Sequence, residues 1–346
     1  MSDDSRATAA GVEAGTSYAA AGVDIEAGDR AVELMKAAVA RAARPEMVGG
    51  LGGFAGLFDA SALTKFRRPL LATSTDGVGT KLVIAQAMDR HDTIGIDLVG
   101  MVVDDLVVCG AEPWFMTDYI ACGRVVPERI AAIVSGIAEG CRLAGCALVG
   151  GETAEHPGVM RADDYDLAGA GVGVVEADSM LGPDRVRAGD VVVAIASSGL
   201  HSNGYSLARH VLRDIALDST ADLGVALGEV LLTPTRIYSK DCLALTSAVE
   251  VHAFSHVTGG GLTANLARVL PAGVAATIDW SSWEQPAIFR LIAERGPVSP
   301  VEMEKTFNLG VGMVAVVPPQ AANAAVALLA ERGVPAWAAG EITATH

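Results

Sequence analysis

One short segment of the chain combines side chains suited to holding a phosphate through a metal ion. Its sequence is Ser74-Thr75-Asp76-Gly77-Val78-Gly79-Thr80-Lys81, directly after an apolar stretch. Asp76 can bind a hard cation, the glycines allow the backbone to approach closely, and Lys81 can neutralise oxyanion charge. The order Gly-Thr-Lys differs from that of a Walker A loop. On this segment alone, an ordinary turn between two elements is the simpler interpretation.

A helical pattern over Ile96–Gly110 carries carboxylates in an otherwise apolar sequence. Asp97, Asp104 and Asp105 lie at positions i, i+7 and i+8, so they share one helix face. Buried carboxylates without partners are very costly. Hydrogen bonds from neighbouring loops would satisfy them, and so would Mg²⁺, which prefers oxygen ligands. The sequence leaves both alternatives open.

A glycine-rich segment from Gly49 to Gly56 also allows several interpretations. Gly50-x-Gly52-x-x-Ala55 formally matches a dinucleotide-binding fingerprint, but no strand precedes it, which excludes that interpretation. Leu51 and Phe54 are too apolar for a flexible linker. A mobile backbone cradle for a nucleotide phosphate remains.

Gly150-Gly151-Glu152 follows a short strand predicted at Ala147–Val149, and Glu152 is placed at the end of that strand. A lone Gly-Gly-Glu usually marks only a turn. Together with Asp76 and Asp105, however, Glu152 completes a plausible set of carboxylates for a metal ion that binds ATP.

Two segments of the second half join a predicted strand to a helix with small, polar residues. Ser197–Ser206 contains His201, and Thr258–Gly261 is preceded by His256. Such segments form anion sites at helix N-termini. Each histidine could donate to a phosphate or transfer a proton. A structural hydrogen bond is the alternative for each.

The composition favours two domains and argues against some partners. The 346 residues are 51% hydrophobic and include 39 glycines, which is typical of an α/β protein with many tight connections. The net charge of −16 provides no general positive field. We therefore expect no nucleic-acid partner and no membrane, with anionic ligands held by local amides, a few cations and metal.

No apolar run reaches the roughly 20 residues of a spanning helix, and the N-terminus lacks the features of a secretion signal. The five cysteines show no zinc-ligand spacing and are interpreted as reduced packing residues. These features predict a cytoplasmic protein.

Strand and helix patterns in both halves predict a mixed α/β fold, with α+β mixed sheets, in two domains. Residues 1–16 are small and polar, and we expect a disordered tail. A turn-rich connection spans Glu176–Asp190. We therefore predict an N-terminal domain at 17–178 and a C-terminal domain at 179–346. Pro127 is predicted to open a helix.

Taken in order, these motifs resemble those of the aminoimidazole ribonucleotide synthetases, also called phosphoribosylformylglycinamidine cyclo-ligases. The similarity runs from Ser17-Tyr18 to about Gly340. The matching segments are Ala21–Ile25, Gly49–Phe54, Asp76–Leu82, His91–Leu98, Gly110–Pro113, Ser135–Gly140, Leu148–Glu155, His201–Leu207, Pro234–Tyr238, His256–Gly261 and Thr306–Met313.

The resemblance implies an ATP-dependent ring closure of formylglycinamidine ribonucleotide in purine biosynthesis, a ligase reaction that forms a C–N bond and releases ADP and phosphate. The formamide oxygen is phosphorylated, and the amidine nitrogen then attacks the same carbon. The resemblance further implies a homodimer in which the N-terminal domain contributes strands to a shared β-barrel. The C-terminal domain is then a substrate-binding mixed sheet flanked by helices.

The resemblance also implies roles for individual residues of this sequence. Mg²⁺–ATP is assigned to the carboxylates Asp76, Asp97, Asp105 and Glu152. The ATP phosphates are assigned to Gly49, Gly50, Gly52, Gly53, Gly77, Gly79, Thr80 and Lys81. The substrate is assigned to His201, Ser202, Asn203, Gly204, Thr258, Gly259, Gly260, Gly261 and Asn308. Catalysis is assigned to His201, Asp76 and Asn203, with His256 as a weaker candidate.

Two positions depart from the family pattern. Ala19-Ala20 stands where the family has Lys-Asp, and Asp104-Asp105 stands where it has Asn-Asp. The second change adds potential negative charge beside the predicted metal ligand and could alter its affinity for metal.

Related enzymes and a different class of protein provide the alternatives. Selenophosphate synthetases carry a reactive N-terminal cysteine or selenocysteine and hydrogenase-maturation dehydratases a C-terminal cysteine, and neither feature is present here. The function of a thiamine-monophosphate kinase would not explain the segments around His201 and Thr258. A non-catalytic nucleotide-binding scaffold is the alternative from another class, and turnover of ATP would distinguish it.

Overall fold

The computed structural model describes residues 22–50, 53–220 and 223–345. The tail expected at 1–16, the Ala19-Ala20 departure and the predicted phosphate ligand Gly52 lie outside the described residues. Within the described ranges, no helix is both long and apolar enough to cross a membrane.

The first half of the described chain packs helices on one face of a four-stranded sheet. The helices are α1 (Ile25–Arg41), α2 (Leu82–Met88), α3 (Ile94–Val107) and α4 (Pro127–Ala144). The strands are β1 (Met47–Val48), β2 (Leu57–Phe58), β3 (Pro69–Gly77), β4 (Glu112–Cys122), β5 (Ala147–Glu155) and β6 (Tyr165–Glu176). A short 3₁₀ turn, Gly79–Lys81, links β3 to α2.

The four-stranded sheet has the strand order β3-β6-β4-β5, with β1 and β2 forming a separate ribbon. β4 and β5 run parallel, and the other neighbours are antiparallel. One face of the sheet packs on α3. On the opposite face Leu71 and Tyr119 remain 64% and 40% exposed. A single chain therefore leaves one face of this sheet largely uncovered.

The second half of the described chain is built on an antiparallel sheet of order β8-β10-β7-β11-β9. The strands are β7 (Val191–Ala196), β8 (Ala253–His256), β9 (Val274–Ile278), β10 (Val311–Val317) and β11 (Ala336–Ala344). The helices are α5 (Tyr205–Val211), α6 (Leu227–Leu232), α7 (Ser239–Ala248), α8 (Gly261–Ala267), α9 (Ala287–Arg295), α10 (Pro300–Thr306) and α11 (Pro319–Glu331).

Helix α3 lies between the two halves of the molecule. Every one of its residues is buried except Ile96 and Asp105, as expected for a helix that is apolar on all sides. It packs on the first sheet and α4, and on α7 and β8 of the second half. Gly95 permits close approach to α4, because a Cβ there would lie 2.2 Å from the backbone nitrogen of Ile137. The cleft between the halves is therefore framed by a rigid central helix.

The predicted mixed α/β fold is confirmed, as is the helix that opens at Pro127. The helix predicted over Ile96–Gly110 is present as α3, shifted slightly toward the N-terminus. The domain boundary at 178/179 stays a prediction.

The strand predicted to end before Gly150 instead continues through the two glycines to Glu155. The two glycines pair with β4 rather than forming a turn. Gly151 gives room to a carboxylate on that strand, since a Cβ there would lie 1.7 Å from Asp118 Oδ1. Glu152 therefore lies within a strand and not at its end.

Candidate active site

The cleft between the halves contains two neighbouring cavities along α3. One has a volume of about 320 Å³ and is lined by Asp105, His256 and Arg268, among others. The other has a volume of about 420 Å³ and is lined by residues that include Asp76 and Asn203. The end of β3, part of α3 and the loops after β7 and β8 thus line one cleft.

A cluster of ionisable groups lies where the two cavities adjoin. His256 Nδ1 is 2.9 Å from Asp105 Oδ1. Burial raises the pKa of Asp76 and the neighbouring Asp105 raises it further, although the Gly77 N–H donates to Asp76 over 2.7 Å and lowers it. A cation would relieve this repulsion between two carboxylates.

Burial lowers the pKa of His256, but its bond to Asp105 and the charges of Asp104 and Asp76 outweigh burial and raise the pKa overall. His256 is 5% exposed, and its Nε2 is buried without a hydrogen-bond partner in the described chain. The imidazole is therefore held in place at one nitrogen and unpaired at the other.

The three carboxylates of α3 have different partners. The sequence left two alternatives for them, hydrogen bonds from neighbouring loops and Mg²⁺. Asp97 accepts hydrogen bonds from Thr235, and Asp104 accepts from the backbone N–H of Tyr238 at 2.9 and 3.1 Å. Both are fully buried, whereas the Asp105 side chain is 47% exposed. Asp104 is bonded to a loop, and Oδ1 of Asp97 is bonded to Thr235 and Lys81, whereas Oδ2 of Asp97 is buried with no partner in the described residues. The assignments of Asp97 and Asp105 to Mg²⁺ stay predictions.

The family departure at Asp104 has a structural explanation. Burial raises its pKa to about 7, with His256 and the Tyr238 N–H opposing the shift. The extra carboxylate is thus substantially protonated near neutral pH and is bonded to the second half. Asp104 is fully buried and lines neither cavity of the cleft.

Lys81 was predicted to contact ATP phosphates, but the structure gives its amine other partners. Lys81 and Asp97 both have 0% exposure, and Lys81 Nζ lies 2.8 Å from Asp97 Oδ1. The amine also donates to the carbonyls of His201 at 3.2 Å and Thr233 at 2.7 Å. Lys81 therefore joins the two halves and has no surface left for a nucleotide.

The predicted ATP ligands fall into two groups at opposite edges of the first sheet. The sheet register aligns Gly77 with Ala168, Tyr119 and Glu152 across its four strands. Three strand intervals place the β3 and β5 positions roughly 14 Å apart. Within one chain, Glu152 and Asp76 therefore cannot share a metal ion directly.

The glycine-rich segment lies with the β5 group. Gly49 and Gly50 line a separate cavity of about 330 Å³ that also includes Lys36 and Leu148. Gly53 is exposed beyond it. Gly77 and Gly79 instead line the cavity at Asp76, and Thr80 bonds to Ser206 across the cleft at 3.1 Å. The two sets of predicted phosphate ligands are therefore not brought together in one chain.

His201 lies in the left-handed region at φ 63° and is 1% exposed. Its Nε2 accepts from the Ser198 N–H at 3.1 Å, and its Nδ1 is buried without a partner. Burial and the nearby positive charges of His256 and Lys81 hold its pKa well below the usual range. His201 is thus a neutral imidazole behind the cavity wall, and its catalytic role stays a prediction.

The loops that follow β7 and β8 are tied to each other at the cavity. Asn203 Oδ1 accepts from the Gly259 N–H at 3.0 Å, and Ser202 and Asn203 line the Asp76 cavity with Thr258. Asn265 on α8 fixes the second loop by donating to the carbonyls of Thr258, Gly259 and Gly261. Gly204 and Gly260 serve as left-handed positions before α5 and α8.

Asn308 was predicted to hold substrate, but it has another role. It is 3% exposed, donates to the Gly199 carbonyl at 2.8 Å and accepts from Ser197 and Gly310. Its hydrogen-bonding groups are used inside the protein, so it supports the loop after β7 from behind.

Sequence reasoning missed Arg268 and Asp118. Arg268 lines the cavity at Asp105, and its position directly after α8 was the available signal. Asp118 lies on the helix-facing side of β4 in the same sheet row as Asp76 and Gly151. Asp118 lines neither cavity, and the pairing of β4 with β5 places its carboxylate against Gly151.

Comparisons with known proteins match most of the chain. The model for the N-terminal domain of AIR synthase related proteins matches residues 58–175, and that for the C-terminal domain matches residues 187–346. Phosphoribosylformylglycinamidine cyclo-ligase of Geobacillus kaustophilus (strain HTA426) is 52% identical over 94% of this chain and 95% of its own. The protein of that name from Anaeromyxobacter sp. (strain Fw109-5) is 55% identical over the same shares.

Solved structures share the fold at low sequence identity. Thiamine-monophosphate kinase from Stenotrophomonas maltophilia K279a has a TM-score of 0.66 at 20% identity, covering 92% of this chain and 94% of its own. The E. coli hydrogenase maturation protein HypE has a TM-score of 0.65 at 20% identity, with 92% of each chain covered.

Replacing Lys81 with Met should destabilise the protein by about 3–5 kcal/mol, because Asp97 is left charged and buried without its cation. Urea unfolding gives the free energy. Arg142→Met is the matched control, since Arg142 pairs with Glu139 at the surface and such pairs add little. Equal unfolding midpoints for the two variants would contradict the structural role of Lys81.

Asp118→Asn should change the pH dependence of stability. Burial raises the Asp118 pKa from 3.8 to about 7, and its Oδ2 has no partner in the described chain. The native state therefore binds this proton more tightly than the unfolded chain, so wild-type stability falls as pH rises through that window. We expect the variant to gain stability over wild type at about pH 8 but not at about pH 4.

Urea unfolding at both pH values measures the difference. The carboxyl of Asp104 titrates in the same range, but it is present in both proteins and cancels. A difference between variant and wild type that is the same at both pH values would rule out titration of Asp118.

Proposed function

The chain belongs to the AIR synthase related protein family, and we propose that it catalyses the ATP-dependent cyclisation of formylglycinamidine ribonucleotide to aminoimidazole ribonucleotide. The reaction is a step of purine biosynthesis and forms a C–N bond, so the enzyme is a ligase. The observation that carries the proposal is the identity of 52–55% to curated cyclo-ligases over 94% of the chain.

The chemistry requires activation of a poor leaving group. The γ-phosphoryl group of ATP passes to the formamide oxygen and releases ADP. The amidine nitrogen then attacks the same carbon, the C–O bond breaks, and phosphate leaves with the former formamide oxygen. Two anionic ligands must be held side by side for this sequence, which fits a cleft with two adjoining cavities.

We assign Asp76 and Asp105 to Mg²⁺, which would neutralise the phosphoryl oxygens of bound ATP. Their mutual repulsion and the exposure of Asp105 suit a cation. No three His, Cys, Asp or Glu side chains in the described residues form a metal site. Mg²⁺ commonly binds through one or two carboxylates plus substrate phosphates and water, so a pair is a sufficient protein contribution.

A homodimer would explain why the predicted ATP ligands are divided between two sheet edges. The face of the first sheet that bears Leu71 and Tyr119 is uncovered in one chain. Closing it against a second copy would allow the Glu152 and Gly49 group of one chain to approach the Asp76 group of the other. We propose this arrangement for the ATP site, in a cytoplasmic enzyme.

We still propose that His201 and Asn203 take part in catalysis. Their hydrogen bonds within the protein limit what each side chain can do. Because Nε2 accepts from the Ser198 N–H, a neutral His201 carries its proton on Nδ1, and that unpaired N–H could donate a hydrogen bond to the substrate. Reaching substrate would require movement of the loop that Asn203 ties to Gly259. Asn203 is therefore proposed to position this loop.

Incubation with ATP, Mg²⁺ and formylglycinamidine ribonucleotide should give ADP and aminoimidazole ribonucleotide in equal amounts. Chromatographic detection of both products measures the ratio. Binding of ATP without turnover would instead support a nucleotide-binding scaffold, and ADP formation without the imidazole product would support a kinase.

Asp105→Asn should raise the Mg²⁺ concentration for half-maximal activity by at least roughly tenfold, since loss of outer-shell partners alone has effects of that size. Initial rates across a Mg²⁺ titration measure it. Asp104→Asn is the matched control, because Asp104 is the adjacent carboxylate but is buried against Tyr238. If both variants showed the wild-type Mg²⁺ requirement, Asp105 would not be a metal ligand.

A further inference from the structure

The cavity of about 320 Å³ is chemically distinct from its neighbour in the cleft. It is bounded by β3, the C-terminal part of α3, β8 and the end of α8. Its walls present the side chains of Ser74, Ser255, His256 and Arg268, together with the Asp105 carboxylate at one side. Apart from Asp105, each of these side chains carries a group that can donate a hydrogen bond.

Two of these donors have no partner within the described residues. Arg268 is exposed and makes no ion pair or side-chain hydrogen bond there. His256 is almost completely buried, and its Nε2 has no partner, although its Nδ1 is fixed by Asp105. A buried imidazole nitrogen without a partner in the same cavity as an unpaired guanidinium points to a polar ligand, and the permanent charge of Arg268 favours an anion.

The neighbouring cavity has no such cation. Its described lining includes Asp76 and Asp166 but neither lysine nor arginine. Lys81, the nearest basic residue in sequence, is fully buried against Asp97. Of the described residues that line the two cavities, Arg268 alone carries a permanent positive charge.

The two ligands of the proposed reaction differ in what they need from the protein. The phosphates of ATP are neutralised by Mg²⁺ at the carboxylates. The phosphate monoester of a ribonucleotide carries its own charge and no metal, so the chain must meet that charge with backbone amides or a cation. Because the net charge is −16, that attraction must be local, and the planar fork of arginine matches a phosphate bidentately.

We infer that Arg268 and its cavity hold the ribose phosphate group of the formylglycinamidine ribonucleotide substrate, and not the phosphates of ATP. This inference rests on the proposed function. A substrate anchored at Arg268 extends toward the cluster of Asp105 and Asp76, which places its formamide beside the nucleotide.

Arg268→Met tests the assignment through the two Michaelis constants. Losing a charge-assisted hydrogen bond should raise KM for the ribonucleotide by roughly 10- to 100-fold and leave KM for ATP unchanged. Arg268→Lys should lie between the two, since lysine keeps the charge but loses the fork. Arg290→Met is the control, because Arg290 is exposed on α9 and lines neither cavity.

A binding measurement separates this inference from the proposed function. Ribose 5-phosphate, titrated calorimetrically, should bind wild type and Arg290→Met, but Arg268→Met more weakly by the same factor. Weaker binding of ribose 5-phosphate to Arg268→Met, in a protein without cyclisation activity, would support the phosphate site and overturn the proposed function. Normal cyclisation by Arg268→Met with unchanged ribose 5-phosphate binding would overturn the site and retain the function. A rise in KM for ATP alone would overturn it too, because Arg268 would then serve the nucleotide.

Discussion

The buried ion pair between Lys81 and Asp97 is the interaction on which the cleft depends. It joins the turn after β3 to α3, and the same amine binds backbone carbonyls of His201 and Thr233. A buried ion pair needs further hydrogen bonds, besides the attraction of its two charges, to offset the cost of desolvation. Four chain segments are therefore fixed relative to one another, and both cavities open along the surfaces that these segments provide.

The position of α3 extends that constraint along the cleft. Its apolar surface is buried on both sides, so its carboxylates must either find donors or reach solvent. Asp97 and Asp104 use donors from the loop before α7, and the adjacent Asp105 reaches the cavity. A single helix thus supplies both the attachment of the second half and one charged group of the site. Carboxylates on one face of α3 can therefore serve different purposes, and not each of them needs to bind metal.

The distribution of charge decides where anions can bind. In a chain with a net charge of −16, an unpaired cationic side chain that lines a cavity is a candidate ligand for an anion. Lys81 is removed from ligand binding by burial, whereas Arg268 remains available. The cavity that contains Arg268 also contains Asp105, whereas the neighbouring cavity is lined by Asp76 and Asp166 and by no described lysine or arginine. The two cavities therefore differ in charge, and the proposal for two anionic ligands depends on that difference.

The sequence by itself determined the mixed fold, the helix opened by Pro127, the polar loops after β7 and β8, and the family. These follow from local periodicity, glycine and proline placement and ordered motifs, which require no knowledge of long-range contacts. It also indicated that Asp76 and Asp105 would meet. It could not indicate that Lys81 is buried, that Asn308 is saturated, or that Glu152 lies three strands from Asp76.

Those outcomes depend on strand order, on register and on partners more than 100 residues away, such as the carbonyl that Lys81 binds in His201. The segment Asp76–Lys81 has the composition of a phosphate loop whether Lys81 faces a ligand or is buried in the protein. Only the tertiary structure decided that its carboxylate faces the cavity while its lysine faces inward, because desolvation and pairing depend on the neighbours that folding supplies.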